Sequence, residues 1–587
     1  MKAKVLRVAA ALMITVASLA AAVLPAGVAT AATINVPGDQ PTIAQAVAAA
    51  NPAGGDTIIV APGNYNEFDI TIDKNLTIQG AGPGATIVDA LMSGRVFHIS
   101  GAGTTVSMSG LTVQNGAISN LGGDAFGAGI LNEGTLTLTD CTVTNNNVSS
   151  DTANAYGAGI CNVGTLTLTD CWVLSNLAFA EDGYAWGGGI ASASTLTLTG
   201  CEVSGNWAVG YLGASGGGID NAGTASLTDC FIGDNMAYTA GEGYGGGLAN
   251  WSGWLTLSNC TVHRNLAYSE YWFTNGGGIE NHEGILTMYS STLSYNIADG
   301  WEFGSGGGIE NEDSTVALTN CTLSGNQAWG LDSNSGGIDN WDTFGPLHGR
   351  APGDTGTAPD PGTVQRRSEG MLGMTPPAGI EFPPDWGSPP SSAELLANSM
   401  AAIRAPAAGL QQPGISATLI NCTVTDNLAD YYKGGEAARA GGIWNNATLA
   451  LRCTIVYGNT ATDGPGDVLN IGQAPYTKVH SIVGDPNGDP DPLLGPLQDN
   501  GGPTWTHALL PGSPAINRCF ICSVAADQRG EPRAQGGRCD IGAYELEQRP
   551  TGVPALSLWG TAGLAALMAA LLAWTVRRRL HARSAAR

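Results

Sequence analysis

At 587 residues, with 85 glycines, 12% charged side chains and a formal net charge of −25, the chain is long, sparsely charged and acidic. An acidic surface repels phosphate backbones and anionic headgroups, which excludes nucleic acid and an anionic bilayer face as electrostatic partners. Low charge over this length fits a solenoid, in which one apolar core is extended along an axis instead of being enlarged.

In chain order, Lys2, Lys4 and Arg7 precede an apolar run from Val8 to Val23 and small residues through Ala29, Ala31 and Ala32. The pattern reads as a secretory signal over residues 1–32, cleaved just before Ala32 or Thr33, and predicts export to the cell envelope or surface. Residues 33–110 follow as an N-terminal cap and first coils. Between Pro41 and Asn51, Ile43, Ala46, Val47 and Ala50 share one face of a short helix, placed to cover strand edges that would otherwise template aggregation. DITI, LTIQG and the run through Val113 supply about three early coils.

Residues 111–340 repeat. The clearest copy, GAGILNEGTLTLTDCTVTNN from Gly127 to Asn146, recurs from Gly157, Gly187, Gly216, Gly245, Gly276 and Gly306. Cys141, Cys171, Cys201, Cys230 and Cys260 are spaced 30, 30, 29 and 30 residues apart, and Ser291 and Cys321 continue the series. Leu136, Leu138 and Val143 alternate with Thr137, Thr139 and Thr142, which is the period of a strand. Three short pieces per unit, GGGIxN, TLTLT and CTV, are each too short to bury anything alone and must pair with their copies one unit away. The fold class predicted is all-β, a parallel β-helix solenoid with one coil per repeat, a short N-terminal capping helix and one C-terminal transmembrane helix.

Two columns of asparagine support this, one running Asn132, Asn162, Asn221, Asn250, Asn281, Asn311 and Asn340, the other Asn146, Asn176, Asn206, Asn235, Asn265, Asn296, Asn326 and Asn427. Amides stacked at strand spacing hydrogen-bond up the column. On these features the chain resembles the right-handed parallel β-helix proteins of the pectate-lyase-like superfamily, and its GG[GA]I units are similar to those of polymorphic outer-membrane proteins. GDTIIVAPGNYNE, from Gly55, resembles the opening coil of pectinesterase and pectate-lyase-like chains. Eight cysteines, Cys141, Cys171, Cys201, Cys230, Cys260, Cys321, Cys422 and Cys453, are read as one column. Stacked Cα atoms about 4.8 Å apart are within disulfide reach, but parallel Cβ vectors do not suit a bridge, so the column is expected to be reduced.

Cys321 and Cys422 lie 101 residues apart, so an insertion at 341–413 interrupts one coil. Its Pro, Gly, Ala and Ser, with little periodicity, predict a disordered excursion. Residues 414–490 resume the coils with ATLINCTVTDN and GGIWNNATLALRCTIVYGN. Residues 491–547, with DPLLGPLQDNGGPTWTHALLPGSPAIN, DQRGEPR and CDIGAYE, resemble the choice-of-anchor Q domain. In an exported protein Cys522 or Cys519 is expected to pair with Cys539, leaving an odd thiol. Residues 548–587 hold an uncharged run, Leu556 to Val576, followed by RRRLHAR, which predicts a membrane span with its basic flank in the cytoplasm. VPALSLWG, from Val553, resembles the IPTL-type anchoring tail of exported bacterial proteins, with Val553 and Ala555 in place of Ile and Thr.

Three places could carry chemistry. The residue after the repeat isoleucine reads Leu131, Cys161, Ala191, Asp220, Ala249, Glu280, Glu310 and Asp339. With the isoleucine inward this position points outward, so Glu280, Glu310 and Asp339 would stack as carboxylates about 5 Å apart, able to share a proton, act as acid and base on a sugar, or hold Ca²⁺. His282, Glu283, Glu312, Asp313 and Asp342 enrich the region; a solvated acidic face is the competing reading. The stretches before each glycine cluster carry Tyr184, Trp186, Tyr271, Trp272, Trp301 and Trp329, among others, which in-register coils gather into a ridge suited to a glycan or protein, or packed on itself. Asp485, Asn487, Asp489 and Asp491 alternate like calcium ligands, although two prolines and the missing twelfth-position Glu favour a turn.

No nucleotide-binding glycine motif, HExxH or GxSxG is present, nor are the catalytic strings of polygalacturonases, pectinesterases or lyases. The expectation is therefore an exported, membrane-tethered, non-catalytic stalk for adhesion to an extracellular polysaccharide or to a host or neighbouring cell surface. The alternative is a polysaccharide lyase or hydrolase acting through Glu280, Glu310 and Asp339.

Overall fold

The structure is a computed structural model describing residues 31–342 and 415–547, except 433, 434, 436, 472 and 473. Nearly all of the expected signal and insertion, and the whole expected anchor, lie outside the described residues; among those described, no helix is long and apolar enough to cross a membrane.

Stacked repeats give a parallel β-solenoid. Thr135–Thr139 pairs in parallel with Thr165–Thr169, Leu136 on Leu166 and Leu138 on Leu168, and the register is kept coil after coil. The TLTLT strands build a 14-stranded sheet, the CTV strands a 13-stranded sheet and the GGGI strands a 12-stranded sheet. Their inward residues, among them Ile130, Leu136, Leu138 and Val143, form one continuous apolar core. Helix α1, Ile43–Ala49, forms where expected, with Thr42 as its N-cap and Ile43, Ala46 and Val47 buried. The Glu67 carboxylate accepts from the amides of Ile43 and Ala44, both at 2.8 Å.

Three strands per unit proves to be an undercount. The stretch between CTV and GGGI, to which no strand is assigned above, carries two more strands, Asn147–Ser150 and Ala155–Tyr156 in the clearest copy. They stack into lateral sheets of 10 and 9 strands. Once the flanking strands are in register, backbone groups of the connecting stretch face their own copies and pair. Alanines such as Ala155, Ala178, Ala185, Ala208 and Ala214 fill the space between the lateral sheets, so this lobe is thin. The two coils that open at Asp56–Val60 and Leu76–Gln79 have three strands each, and the lobe begins at Ala117–Asn120.

Both asparagine columns form hydrogen-bonded ladders, the Asn146 column without a break and the Asn132 column with one. Asn146 Nδ2 donates to Asn176 Oδ1 at 2.9 Å and to the Val113 carbonyl at 3.3 Å, while the Asn146 amide donates to the same Asn176 oxygen at 3.0 Å. That pattern repeats to Asn427 and Asn459, where the ladder ends on Asp467 Oδ1. In the other column Asn162 passes through Ser192, which replaces an asparagine, and Asn221 restarts the chain onto Asn250. The third glycine of GGGI exists to admit the ladder: a Cβ at Gly159 would sit 2.6 Å from the Gly189 carbonyl oxygen and 3.0 Å from Asn176 Cγ.

The cysteine column is reduced at seven of its eight members. Cys141 Sγ lies 3.3 Å from the Thr139 carbonyl, a contact that Ser291 Oγ reproduces on Tyr289 at 2.8 Å. Cys453 departs from the column. Thr454 takes the inward position, accepting from the Cys422 amide at 3.3 Å, and Cys453 occupies the left-handed corner with φ 49°. From that corner it bonds Cys519, while Cys522 bonds Cys539, so the expected odd thiol is corrected to two disulfides.

Residues 491–545 pack on the outer face of the CTV sheet. Gln528 Nε2 donates to Thr292 Oγ1 at 2.8 Å and its Oε1 accepts from Thr322 Oγ1 at 2.7 Å, and His507 Nε2 lies 2.9 Å from Ser324 Oγ. Arg533, buried and paired with Glu545 at 3.3 Å, also donates to Asn320 Oδ1 at 3.0 Å. Disrupting the ladder tests the fold. Asn206→Ala strips an acceptor from the Asn176 amides and a donor from the Val173 carbonyl, all buried. It should lower the urea unfolding midpoint by an amount equivalent to about 3 kcal/mol, whereas Thr197→Ala on the outer face of the TLTLT sheet should leave it nearly unchanged.

Candidate functional site

The acid column is positioned by strand alternation. Ile279, Ile309 and Ile338 enter the main core, so Glu280, Glu310 and Asp339 project from the opposite face and stack in register. That face was expected to meet solvent. Instead the lateral sheets cover it, and Glu280, Glu310 and Asp339 are 0%, 1% and 0% exposed. The solvated acidic face is corrected for the same reason.

Burial pushes all three carboxyls up: Glu280 and Glu310 well above the usual range, Asp339 to about 7. Ser305 Oγ contacts Glu310 Oε2 at 2.6 Å and also Asp339 Oδ2, and Asn334 Nδ2 donates to that same Asp339 oxygen at 2.7 Å. A hydroxyl has one hydrogen. For both contacts to be hydrogen bonds, one of the two carboxyls must be protonated and donate to Ser305, in the direction that burial moves both groups. Lower in the column Asp220 accepts from Ser215 Oγ at 2.6 Å and Trp251 Nε1 at 3.2 Å, and burial raises it to about 7.

These partners reveal a spacing rule that the sequence reading missed. The residue five before the column position, just ahead of the glycine cluster, is Ser215 for Asp220 and Ser305 for Glu310, and Asn334 for Asp339. Where the column residue is small, as at Cys161, Ala191 and Ala249, the residue five earlier is Tyr156, Trp186 and Tyr244. Ring opposite methyl and hydroxyl or amide opposite carboxyl are legible at fixed offset once the lateral strand is known.

A second outward position lies two residues on, at Trp251, His282, Glu312 and Trp341, again in register. Glu280, His282 and Glu312 offer ligand atoms that all lie within 4.8 Å of one another, and they are the residues here that could hold a metal ion. His282 Nδ1 is 3.1 Å from Glu312 Oε2, and the Trp251 ring stands 5.0 Å from the imidazole. Both Glu280 carboxylate oxygens are buried without a hydrogen-bond partner. The arrangement can store a proton or bind a cation; Glu280 is hidden from solvent, while His282 and Glu312 each keep 12% of their side-chain surface exposed.

The aromatic ridge divides. Tyr184 and Trp329 are buried, while Trp186, Tyr271, Trp272 and Trp301 are half-buried. Much of the set packs on itself: Tyr184 stacks on Trp186 at 5.6 Å, Trp186 meets Trp251 edge-on at 5.9 Å, and Trp301 and Trp329 both stack on Tyr432. Three of the four residues of the proposed calcium loop have separate partners. Asp485 accepts from the Gly466 amide at 3.0 Å, Asp489 pairs with Lys478, and Asp491 accepts from the Leu493 amide at 2.7 Å; Asn487 neighbours Tyr476.

No protein-family profile matches the chain, and no curated protein matches it. Among solved structures it is similar to ORF18 of Geobacillus virus E2, at 12% identity and a TM-score of 0.28, covering 50% of this chain and 57% of that one. It is also similar to pectate lyase Pel9A, at 15% identity and a TM-score of 0.28, covering 60% of this chain and 90% of that one. The A-module of the Azotobacter vinelandii mannuronan C-5 epimerase AlgE4 matches at 11% identity and a TM-score of 0.27, covering 75% of this chain and 94% of that one.

The raised carboxyl of Asp220 sets a pH dependence. Its pKa climbs from 3.8 to about 7 on folding, so its contribution is full below pH 3.8, is lost as pH rises towards 7 and stays lost above that. Thermal melts of Asp220→Asn, which keeps an oxygen acceptor, should show a shallower decline than wild type across that window and a higher Tm at about pH 8.

Proposed function

We propose that the chain is an exported, membrane-tethered surface protein whose right-handed parallel β-helix is a non-catalytic stalk for adhesion. The observation that carries this reading is the burial of the acid column. Glu280, Glu310 and Asp339, the groups a sugar-cleaving centre would need at its surface, are covered by the lateral sheets, and general acid–base chemistry requires them within hydrogen-bond reach of the substrate. The signal-like N-terminus, the choice-of-anchor Q-like segment and the IPTL-like tail support the tether. The half-buried Tyr271, Trp272 and Trp301, with Glu270 and Glu302 beside them, support a glycan or protein ligand on the lateral flank, which in this reading is an extracellular polysaccharide or a host or neighbouring cell surface.

The full-length chain is incubated with a panel of acidic and neutral polysaccharides, with and without Ca²⁺, and both binding and new reducing ends or unsaturated products are scored. The expected outcome is binding without products, weakened about tenfold by Trp272→Ala or Trp301→Ala. Product formation that disappears in a Glu280→Ala, Glu310→Ala variant would establish the polysaccharide-cleaving alternative instead.

A further inference from the structure

We propose that Glu280, His282 and Glu312 form a binding site for a divalent first-row transition metal, with Zn²⁺ the ion best matched to the donor set. This goes beyond the stalk reading and stands or falls separately from it.

Strand geometry brings the donors together. Glu280 and His282 are two residues apart on Ile279–His282 and so share its outer face, and Glu312 on Ile309–Glu312 is the register partner of His282. Their ligand atoms fall within 4.8 Å of one another, so closing by about 1 Å brings them to the spacing of donors around one tetrahedral ion. Sheet backbone on both coils fixes this geometry, which loops do less well.

Glu280 supplies the second, independent observation. It is fully buried, and neither carboxylate oxygen has a hydrogen-bond partner. A buried carboxylate with no donor is costly unless it is protonated or beside a cation. Of the neighbours that face it, Glu310 and Glu312 are acids, Tyr244 donates its hydroxyl to Glu242 at 2.8 Å, and His282 is turned to Glu312. A metal ion in this position would satisfy Glu280, Glu312 and His282 together and tie two consecutive coils.

The donor types select the ion. Ca²⁺ takes six to eight oxygens and Mg²⁺ retains its waters, whereas one imidazole nitrogen with two carboxylate oxygens suits Zn²⁺ and leaves a position for water. The Trp251 ring beside His282 excludes bulk solvent on one side.

The test uses the full-length chain, freed of metal with a chelator and titrated calorimetrically with Zn²⁺ alone, with Co²⁺ as a visible-absorption probe of the ligand field. The expected result is one equivalent bound per chain, a Co²⁺ ligand-field band that His282→Ala removes, and a Tm that rises with Zn²⁺ in wild type but not in that variant. Glu312→Gln and His282→Ala should each weaken Zn²⁺ binding by about 100-fold. Far-UV circular dichroism identifies the folded variants; Glu312, at the edge of the site, is the substitution least able to disturb the coils. Absence of stoichiometric Zn²⁺ binding, unchanged affinity in a folded Glu312→Gln or His282→Ala chain, or binding of Ca²⁺ with Zn²⁺ excluded, each overturns the proposal.

Discussion

The solenoid depends on like residues stacking on like residues. Every side chain in the regular coils meets its own repeat equivalent one coil above and one below, so a residue type survives in a column only if it tolerates itself as a neighbour. Asparagine does so without remainder, because an amide is both donor and acceptor: in each rung of the Asn146 column the oxygen takes two hydrogens from the coil below and the nitrogen passes one on. Threonine and alternating leucine satisfy the same condition on the outer and inner faces of the TLTLT sheet. Even the end of the ladder follows the rule, for Asp467 accepts two hydrogen bonds from Asn459 and passes nothing on from that oxygen.

Carboxylates fail the condition. Two charges about 5 Å apart at an effective dielectric of about 20 repel by about 3 kcal/mol before desolvation is counted. The column Glu280, Glu310, Asp339 is therefore the place where the stacking rule is broken, and the structure shows how the break is accommodated at one end. Ser305 bridges Glu310 and Asp339 with a single hydroxyl hydrogen, so one proton must be shared between the acids. At the other end nothing comparable exists. The residue five before Glu280 is Asn275, whose side chain makes no hydrogen bond to it, and Glu280 is left with two unsatisfied oxygens. Protonation alone would relieve the charge there but would leave a buried acid proton without an acceptor.

Legibility in the sequence follows the same logic. The period, the parallel pairing, the inward leucines and both asparagine ladders were readable because each shows as an identical residue at a fixed spacing. The lateral sheets were not, since their strands vary from Asn147–Ser150 to Trp207–Gly210 and Ile297–Gly300. Backbone pairing holds them, and backbone leaves no residue signature. That one omission explains the misplacement of the acids, because a column correctly assigned to the outer face of the GGGI strands became an interior column once a second layer lay over it. Cys453 shows the limit in the other direction: a column position read by residue type alone was off by one, and a one-residue slip turns an inward thiol into an outward one.

The remaining question is why acids occupy this column at all. The fold does not ask for them. In neighbouring coils the same position is Leu131, Cys161, Ala191 and Ala249, all compatible with the same backbone and the same register. Replacing a buried ionisable group by an apolar one is often neutral or stabilising, so three buried carboxyls in consecutive coils are a cost that packing alone does not repay. Nor do they serve solubility, since they are hidden from water. A cost that recurs in three consecutive coils, beyond the single Asp220 lower in the column, accompanied by a histidine and a further carboxylate at the adjoining position and by serine and asparagine where other coils carry rings, is the signature of a site built against the preference of its scaffold.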